Sequence, residues 1–402
     1  AQQALADKET EKYINLLSQS ANLGYVQALN DLGDLYFNGE LAPKHMGKAY
    51  EYFLKASQNG SGYGSYSCGF ILMKGSADIP RDIEKGLSMF RLAVDQNYKA
   101  ATRDLARYYY SLETEEDNRK ALDYYLQYIE YNPKDTDTLL HIGLIYESGL
   151  GVPLNIDLAR RYYERAAEQD ETGMAYNFLG GTYMNDEETE NNERKAVHYF
   201  QKAIELGNTN AMFRISYYLH NGKGGLQVDI PREIELLTEA SKRGNHQATY
   251  RLGLLFEDNE SGMAQNLELS VKYFQLAADN GILAAINKMG ELYLFGEVIP
   301  ANLTKAISCF TAASEQGYGK ASYWLGRLHT DGIGQLEKDT QKAMNYYRKA
   351  IEQGYEEARE WMEQLQKNLV DETITDIEIP QDKSDEELYK EAKNALEKAQ
   401  FK

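Results

Sequence analysis

A small residue, followed three places later by a large apolar one, recurs along this chain every 36 or 37 residues, and no other property restricts the fold as much. The small residues are Gly33, Gly69, Ala106, Gly143, Gly180, Ser216, Gly253, Gly290 and Gly326, with Glu363 keeping the register once more. Five places earlier stand Ala28, Gly64, Ala101, Thr138, Ala175, Ala211, Ala248, Ala285, Ala321 and Ala358. Three places later come Tyr36, Leu72, Tyr109, Tyr146, Tyr183, Leu219, Phe256, Tyr293 and His329. These offsets share one face of an α-helix. Small residues there let a neighbouring helix approach closely, and the aromatic fills the groove beside it. A fixed period of this length marks a stack of supersecondary units.

Each such helix is followed by a second one with its own signature. An Ala, an aromatic pair, another Ala and a Gly appear as Ala49, Tyr52-Phe53, Ala56 and Gly60. The pattern returns as Ala196, Tyr199-Phe200, Ala203 and Gly207, and again as Ala343, Tyr346-Tyr347, Ala350 and Gly354. The Gly predicts a left-handed cap that ends the second helix. Turns such as Gly149-Leu150-Gly151-Val152-Pro153 separate the two helices, whereas Glu113–Asp117 and Asp186–Asn192 predict acidic, more mobile turns in the third and fifth units. Ends of a stack need covering. Residues 1–24 are assigned to an N-terminal capping helix, 25–355 to nine repeats, and 356–402 to a half-repeat, an acidic linker and a capping helix opened by Ser384-Asp385-Glu386-Glu387.

The unit Ile142-Gly143-Leu144-Ile145-Tyr146-Glu147-Ser148-Gly149-Leu150-Gly151-Val152 and the Ala-x-x-Tyr-Tyr-x-x-Ala second helix resemble the Sel-one-like repeat, a relative of the tetratricopeptide repeat. The resemblance runs over residues 9 to 368. It implies an all-α, right-handed superhelical solenoid of helix–turn–helix repeats, an α/α superhelix. It also implies a protein that holds other proteins, since the family includes degradation adaptors, activators of cell-wall synthases and exported bacterial proteins.

A search for chemistry returns little. The six His residues are scattered, with no two-His helical pair for zinc, and neither a metal site nor a catalytic residue is assigned. Asn221-Gly222-Lys223-Gly224-Gly225 is Gly-rich with a Lys, but it lacks the following Ser or Thr of a phosphate loop and falls where each repeat turns. No cofactor is expected. Cys68 and Cys309 stand six repeats apart and are read as reduced core residues. No run of about 18 apolar residues exists to cross a membrane. The formal charge of −19 repels nucleic acid and favours a basic partner. A start at Ala1 without Met reads as a mature or trimmed product, and frequent Lys, Asn, Tyr and Glu with the absence of Cys pairs favour an exported or periplasmic protein over a cytoplasmic one.

By analogy with the tetratricopeptide repeat, positions three before, one after and four after each small residue line the concave side. They include Asn30, Asp34 and Phe37, and they supply the partner-binding candidates Tyr66, Phe70, Arg103, Arg107, Tyr110, Asn177, Phe213, Tyr217, His220, Tyr250, Asn287, Tyr323 and Arg327. Core packing does not require aromatics at these places, and Tyr is a frequent hot-spot residue. Arg103 and Arg107, one turn apart, either fork onto a partner's carboxylate or phosphate or pair with Asp104 or acids of the next repeat. The leading reading is a non-catalytic scaffold or adaptor that binds a protein or peptide. The alternative is an acidic, immunity-type inhibitor that neutralises a basic partner. An enzyme would require a deep pocket of convergent titratable groups, which an open solenoid seldom offers.

Overall fold

The computed structural model describes residues 2–375 apart from 188, 259–264 and 334–335, with side chains between 9 and 369. The helix expected from Ser384 onward and the acidic stretch after 375 lie outside the described residues. Among the described residues there are twenty α-helices and no strand. The chain divides into two compact units, 1–233 and 234–402.

The first unit opens with α1 (Gln2–Asn22). Helix pairs follow: α2 (Val26–Asn38) with α3 (Met46–Gln58), α4 (Gly62–Lys74) with α5 (Ile83–Asp95), and α6 (Ala100–Tyr110) with α7 (Glu115–Tyr131). Next come α8 (Thr136–Ser148) with α9 (Ile156–Ala167), α10 (Met174–Met184) with α11 (Glu190–Glu205), and α12 (Thr209–Asn221). The unit boundary falls within α13 (Ile230–Lys242). The second unit pairs α14 (His246–Glu257) with α15 (Leu267–Asp279), α16 (Leu283–Phe295) with α17 (Leu303–Glu315), and α18 (Gly319–Asp331) with α19 (Thr340–Glu352). It ends on α20 (Ala358–Thr375), which extends past Lys367 into the stretch read as an acidic linker.

Two ring contacts recur in most pairs. The first ring of the aromatic pair stacks on the residue three places after the small one. Tyr36 and Tyr52 lie 5.8 Å apart at 3°, Tyr146 and Tyr162 6.0 Å apart at 6°, and Phe256 and Tyr273 5.7 Å apart at 6°. His329, which replaces the Tyr of other repeats, stacks in the same way on Tyr346 at 5.6 Å. The second ring covers the small residue itself. A Cβ added at Gly69 would meet Phe90 at 2.6 Å, one at Gly253 would meet Phe274 at 2.6 Å, and one at Gly326 would meet Tyr347 at 2.6 Å. Phe53, Phe200, Phe274, Phe310 and Tyr347 are almost wholly buried there. Each such side chain contributes about 1.5–3 kcal/mol of hydrophobic burial. The Tyr-rich composition therefore has a structural cause in the two rings that most repeats use, with Met89-Phe90, Leu236-Leu237 and Cys309-Phe310 as departures.

Turns are closed by a recurrent bond that sequence inspection missed. The amide of the residue capping the second helix donates to the carbonyl of the stacking residue: His45 to Tyr36 and Asn155 to Tyr146 at 2.8 Å, and Asp339 to His329 at 2.9 Å. The same side chains then accept from the third residue of that helix, as Asn302 Oδ1 does from Lys305 at 3.0 Å. Asn and Asp suit this place because they cap with a short acceptor. The acidic stretches of the third and fifth units are not Gly-like turns. Thr114 and Thr189 cap α7 and α11, and Glu115, Glu116, Asp117 and Glu190 occupy their first turns, where the helix dipole favours negative charge. Second helices end as expected in a left-handed residue: Gly60 has φ 86°, and Asn97 takes the place at φ 66° one repeat later.

Gly290→Ala tests the ring contact, because its Cβ would meet Phe310, a ring with no room to retreat, at 2.6 Å. The substitution should cost about 1–3 kcal/mol in urea unfolding. An unstrained helical site would instead gain about 0.5–1 kcal/mol from the same change, and that gain would contradict the assignment.

Candidate functional site

Few titratable groups among the described residues are arranged for chemistry. No group of three His, Cys, Asp or Glu side chains there could hold a metal ion, and no described helix is long and apolar enough to cross a membrane. Both cysteines are free, and burial pushes the Cys68 thiol up to about 12, far from a nucleophile's range. The Gly-rich loop at 222–225 already holds an internal anion. Gly224 N–H donates to Glu193 Oε2 at 3.3 Å, and the Lys223 ammonium lies 3.3 Å from Glu193 Oε1 and 3.0 Å from the Tyr217 hydroxyl.

What the first helices present instead is a face of rings and polar ties. Several aromatics at the position three before the small residue pack against the very ring that covers it, so core packing does use them. Tyr66 lies 5.4 Å from Phe90, Tyr250 5.6 Å from Phe274, and Tyr323 6.1 Å from Tyr347. Burial raises the phenol of Tyr66, reinforced by Asp104, which accepts its hydrogen bond at 2.9 Å. Burial likewise pushes Tyr250 up to about 12. Tyr110 is half-buried with its ring edge-on to His141 at 5.3 Å. Asn177 and Asn287 are buried, each with an Oδ1 that finds no partner, so neither presents a surface. Phe213 is half-buried, while Phe70 and Tyr217 stand 41% and 40% exposed, an extent that makes them the accessible rings of the expected set.

The expected cations are engaged. Arg103 reaches Asp135 at 3.2 Å and lies over the Tyr128 ring at 5.4 Å, and Arg107 reaches Asp137 at 2.6 Å. Both acids belong to the next repeat, so of the two uses open to these arginines the geometry displays the inter-repeat tie. Arg327 lies over Trp361 at 3.8 Å and donates to the Tyr323 hydroxyl at 3.1 Å. His220 sits 3.0 Å from the wholly buried Glu233. In the second unit, Glu291 joins neighbouring repeats by holding Lys320 at 2.8 Å and the Trp324 indole N–H at 2.9 Å.

In the first unit this face has an opening walled by rings, and in the second a cavity of about 320 Å³ between α14 and α16 is walled by the charged Glu257, Lys288 and Glu291. A cavity of about 200 Å³ lies between α2 and α4, lined by Asp34, Phe37, Phe53, Tyr63, Tyr66, Ser67 and Phe70. Phe37 and Phe70 meet edge-on at 6.1 Å, and Phe53 and Tyr63 at 6.0 Å. The Tyr63 hydroxyl donates to Asp34 Oδ1 at 2.6 Å. Asp34, Phe37, Tyr66 and Phe70 stand at the spacings expected to face a partner, whereas Tyr63 does not. It lies six before Gly69 and reaches the site where α4 packs closely on α3, with Gly64 against the α3 backbone and the Tyr63 ring edge-on to Phe53. A larger cavity of about 620 Å³ lies among α15, α16 and α17, walled by Val271, Leu276, Met289, Tyr293 and Ile299.

The family model for the Sel1 repeat matches nine stretches: residues 26–61, 63–98, 99–127, 138–171, 173–208, 209–245, 246–282, 283–318 and 319–355. The chain is 33% identical to the Sel1-repeat-containing protein YjcO of Escherichia coli K12 over 78 residues, 19% of this chain and 34% of that one. It is 40% identical to protein sel-1 homolog 2 of Rattus norvegicus over 70 residues, 17% of this chain and 10% of that one. The chain thus spans about a third or less of these curated relatives. Among solved structures, c5321, a protective antigen present in uropathogenic Escherichia coli with an SLR fold, is similar at a TM-score of 0.62. The likeness covers 88% of this chain and 75% of that one at 21% identity, and it is a likeness of fold.

Asp135 lets the structural tie be separated from its other duty, since Oδ1 caps α8 through Thr138 N–H at 2.9 Å while Oδ2 holds Arg103. Asp135→Asn keeps the cap and should cost under about 1 kcal/mol in urea unfolding, as a partly exposed ion pair does. Asp135→Ala loses both and should cost about 1–2 kcal/mol. Equal losses would show that the cap contributes nothing.

Proposed function

Because the chain belongs to the Sel1 repeat family, whose members commonly mediate protein–protein interaction, we propose that it is a non-catalytic scaffold that holds a partner protein along its first helices. The observation that carries this reading is the aromatic cavity between α2 and α4 with the exposed Phe70 ring at its rim. Aromatic side chains set in or beside a pocket bury much area at small entropic cost, which is why they dominate binding energy at interfaces. Around this opening the face is stiffened by ties from one repeat to the next, so little ordering is left to be done on binding. Tyr217 offers a second exposed ring farther along the same run of helices.

A photo-crosslinking residue placed at Phe70, and separately at Leu92 on α5 where the side chain is 38% exposed, tests the choice of face in cells of the native host. Adducts with a discrete partner are expected from position 70 and not from position 92. Adducts from position 92 alone would move the interaction to the second helices and overturn the reading.

A further inference from the structure

Several acids along the first-helix face are answered by cations. Asp135 and Asp137 hold arginines, Glu257 holds Lys288 at 2.9 Å, and Glu291 holds Lys320. Asp34 is different. Among the described residues its contact is the Tyr63 hydroxyl on Oδ1, with no Lys, Arg or His at ion-pair distance from either carboxylate oxygen. The charged neighbour it feels is Asp31, a second acid on the same helix. Burial raises its carboxyl above the ordinary range, with the like charge of Asp31 adding to the shift and the Tyr63 hydrogen bond opposing it.

This carboxylate forms part of the wall of a cavity otherwise made of Phe37, Phe53, Tyr63, Tyr66, Ser67 and Phe70. Aromatic faces carry negative quadrupole density, and rings beside a carboxylate form the environment that attracts a cation. Phe37 already shows the preference, with the Lys44 ammonium 5.7 Å from its ring centre. An apolar occupant would strip water from Asp34 without replacing it, and an anion would meet two acids. A chain of net charge −19 also draws basic partners from a distance.

We propose that this cavity takes the charged end of a lysine or arginine side chain from a basic partner protein, seated between the Phe37, Tyr66 and Phe70 rings and the Asp34 carboxylate. The inference rests on the reading that a partner lies along the first helices, and it adds the partner's chemistry. Phe70 and Phe37 supply ring contact, Asp34 supplies the counter-charge, and the Tyr63 hydroxyl orients that carboxylate as a positioning group.

The full chain labelled with 4-fluorophenylalanine reports on the cavity directly, with the Phe37 and Phe70 resonances assigned by Phe→Leu substitution. The probes are n-butylammonium, n-butylguanidinium and their neutral counterpart n-butanol. Both cations should shift the two resonances saturably, with butanol binding about tenfold more weakly, the factor expected of a cation–π contact beside one opposite charge. In Asp34→Asn the cations should lose most of that preference over butanol, the remainder being the ring contribution. Equal binding of butanol and the cations by the unsubstituted chain, a comparison that needs no variant, would overturn the proposal, as would unchanged cation binding in Asp34→Asn. Partner adducts at position 70 without any cation preference would sink this inference alone and leave the scaffold reading standing.

Discussion

Everything in this structure depends on a ring lying where a side chain would otherwise be. A first helix offers a residue without a Cβ, or with a very small one, and the second helix of the pair lays a buried Phe or Tyr over it. Interiors are packed to crystal-like density, so this contact sets the separation of the two helices to within the width of a methyl group. The neighbouring ring then stacks on the residue one turn further along, which fixes the rotation of one helix against the other. Where both rings are present the two contacts determine a pair, and repetition of the pair makes the solenoid class of fold.

The properties of the candidate face follow from that arrangement. Because the core is satisfied by the covering rings and the small residues, side chains on the first helices can vary without unpicking the stack. Some are spent on ties between repeats, such as Arg103 to Asp135 and Lys320 to Glu291. Buried hydroxyl and amide groups add further ties, with Gln96 Nε2 donating to the Ser57 carbonyl at 2.9 Å and Gln353 Nε2 to the Ser314 carbonyl at 2.8 Å. Between α2 and α4 the ties leave an opening, and there the rings and Asp34 face a cavity. The binding reading thus rests on a place where rings and a carboxylate without a cation face an opening.

The repeat was legible in the sequence because steric constraint recurs at a fixed interval: Gly290 and Phe310 appear in the same relation as Gly253 and Phe274. What each ring does was less legible. Period alone places Tyr66 and Tyr250 on the inward side, but only coordinates reveal that they lean on Phe90 and Phe274. The fate of Arg103 and Arg107 depended on acids some thirty residues away, Asp135 and Asp137, a relation that helical periodicity does not encode. Tyr63 escaped notice for the same reason, since it enters the cavity beside Phe53 of α3 rather than through its own position in the repeat. The capping Asn or Asp before most second helices did carry a signal, and its regular place ahead of the aromatic pair would have found it.

One repeat lacks the central contact. In α12 and α13 the small residue is Ser216 and the aromatic pair is replaced by Leu236-Leu237, and the division between the two compact units falls in α13. Hydrogen–deuterium exchange of the unmodified protein, read helix by helix, measures whether the ring contact is what holds a repeat together. The account predicts that amides of α12 and α13 exchange faster than those of α16 and α17, where Phe310 covers Gly290. Protection in α12 and α13 equal to or greater than that in α16 and α17 would contradict it.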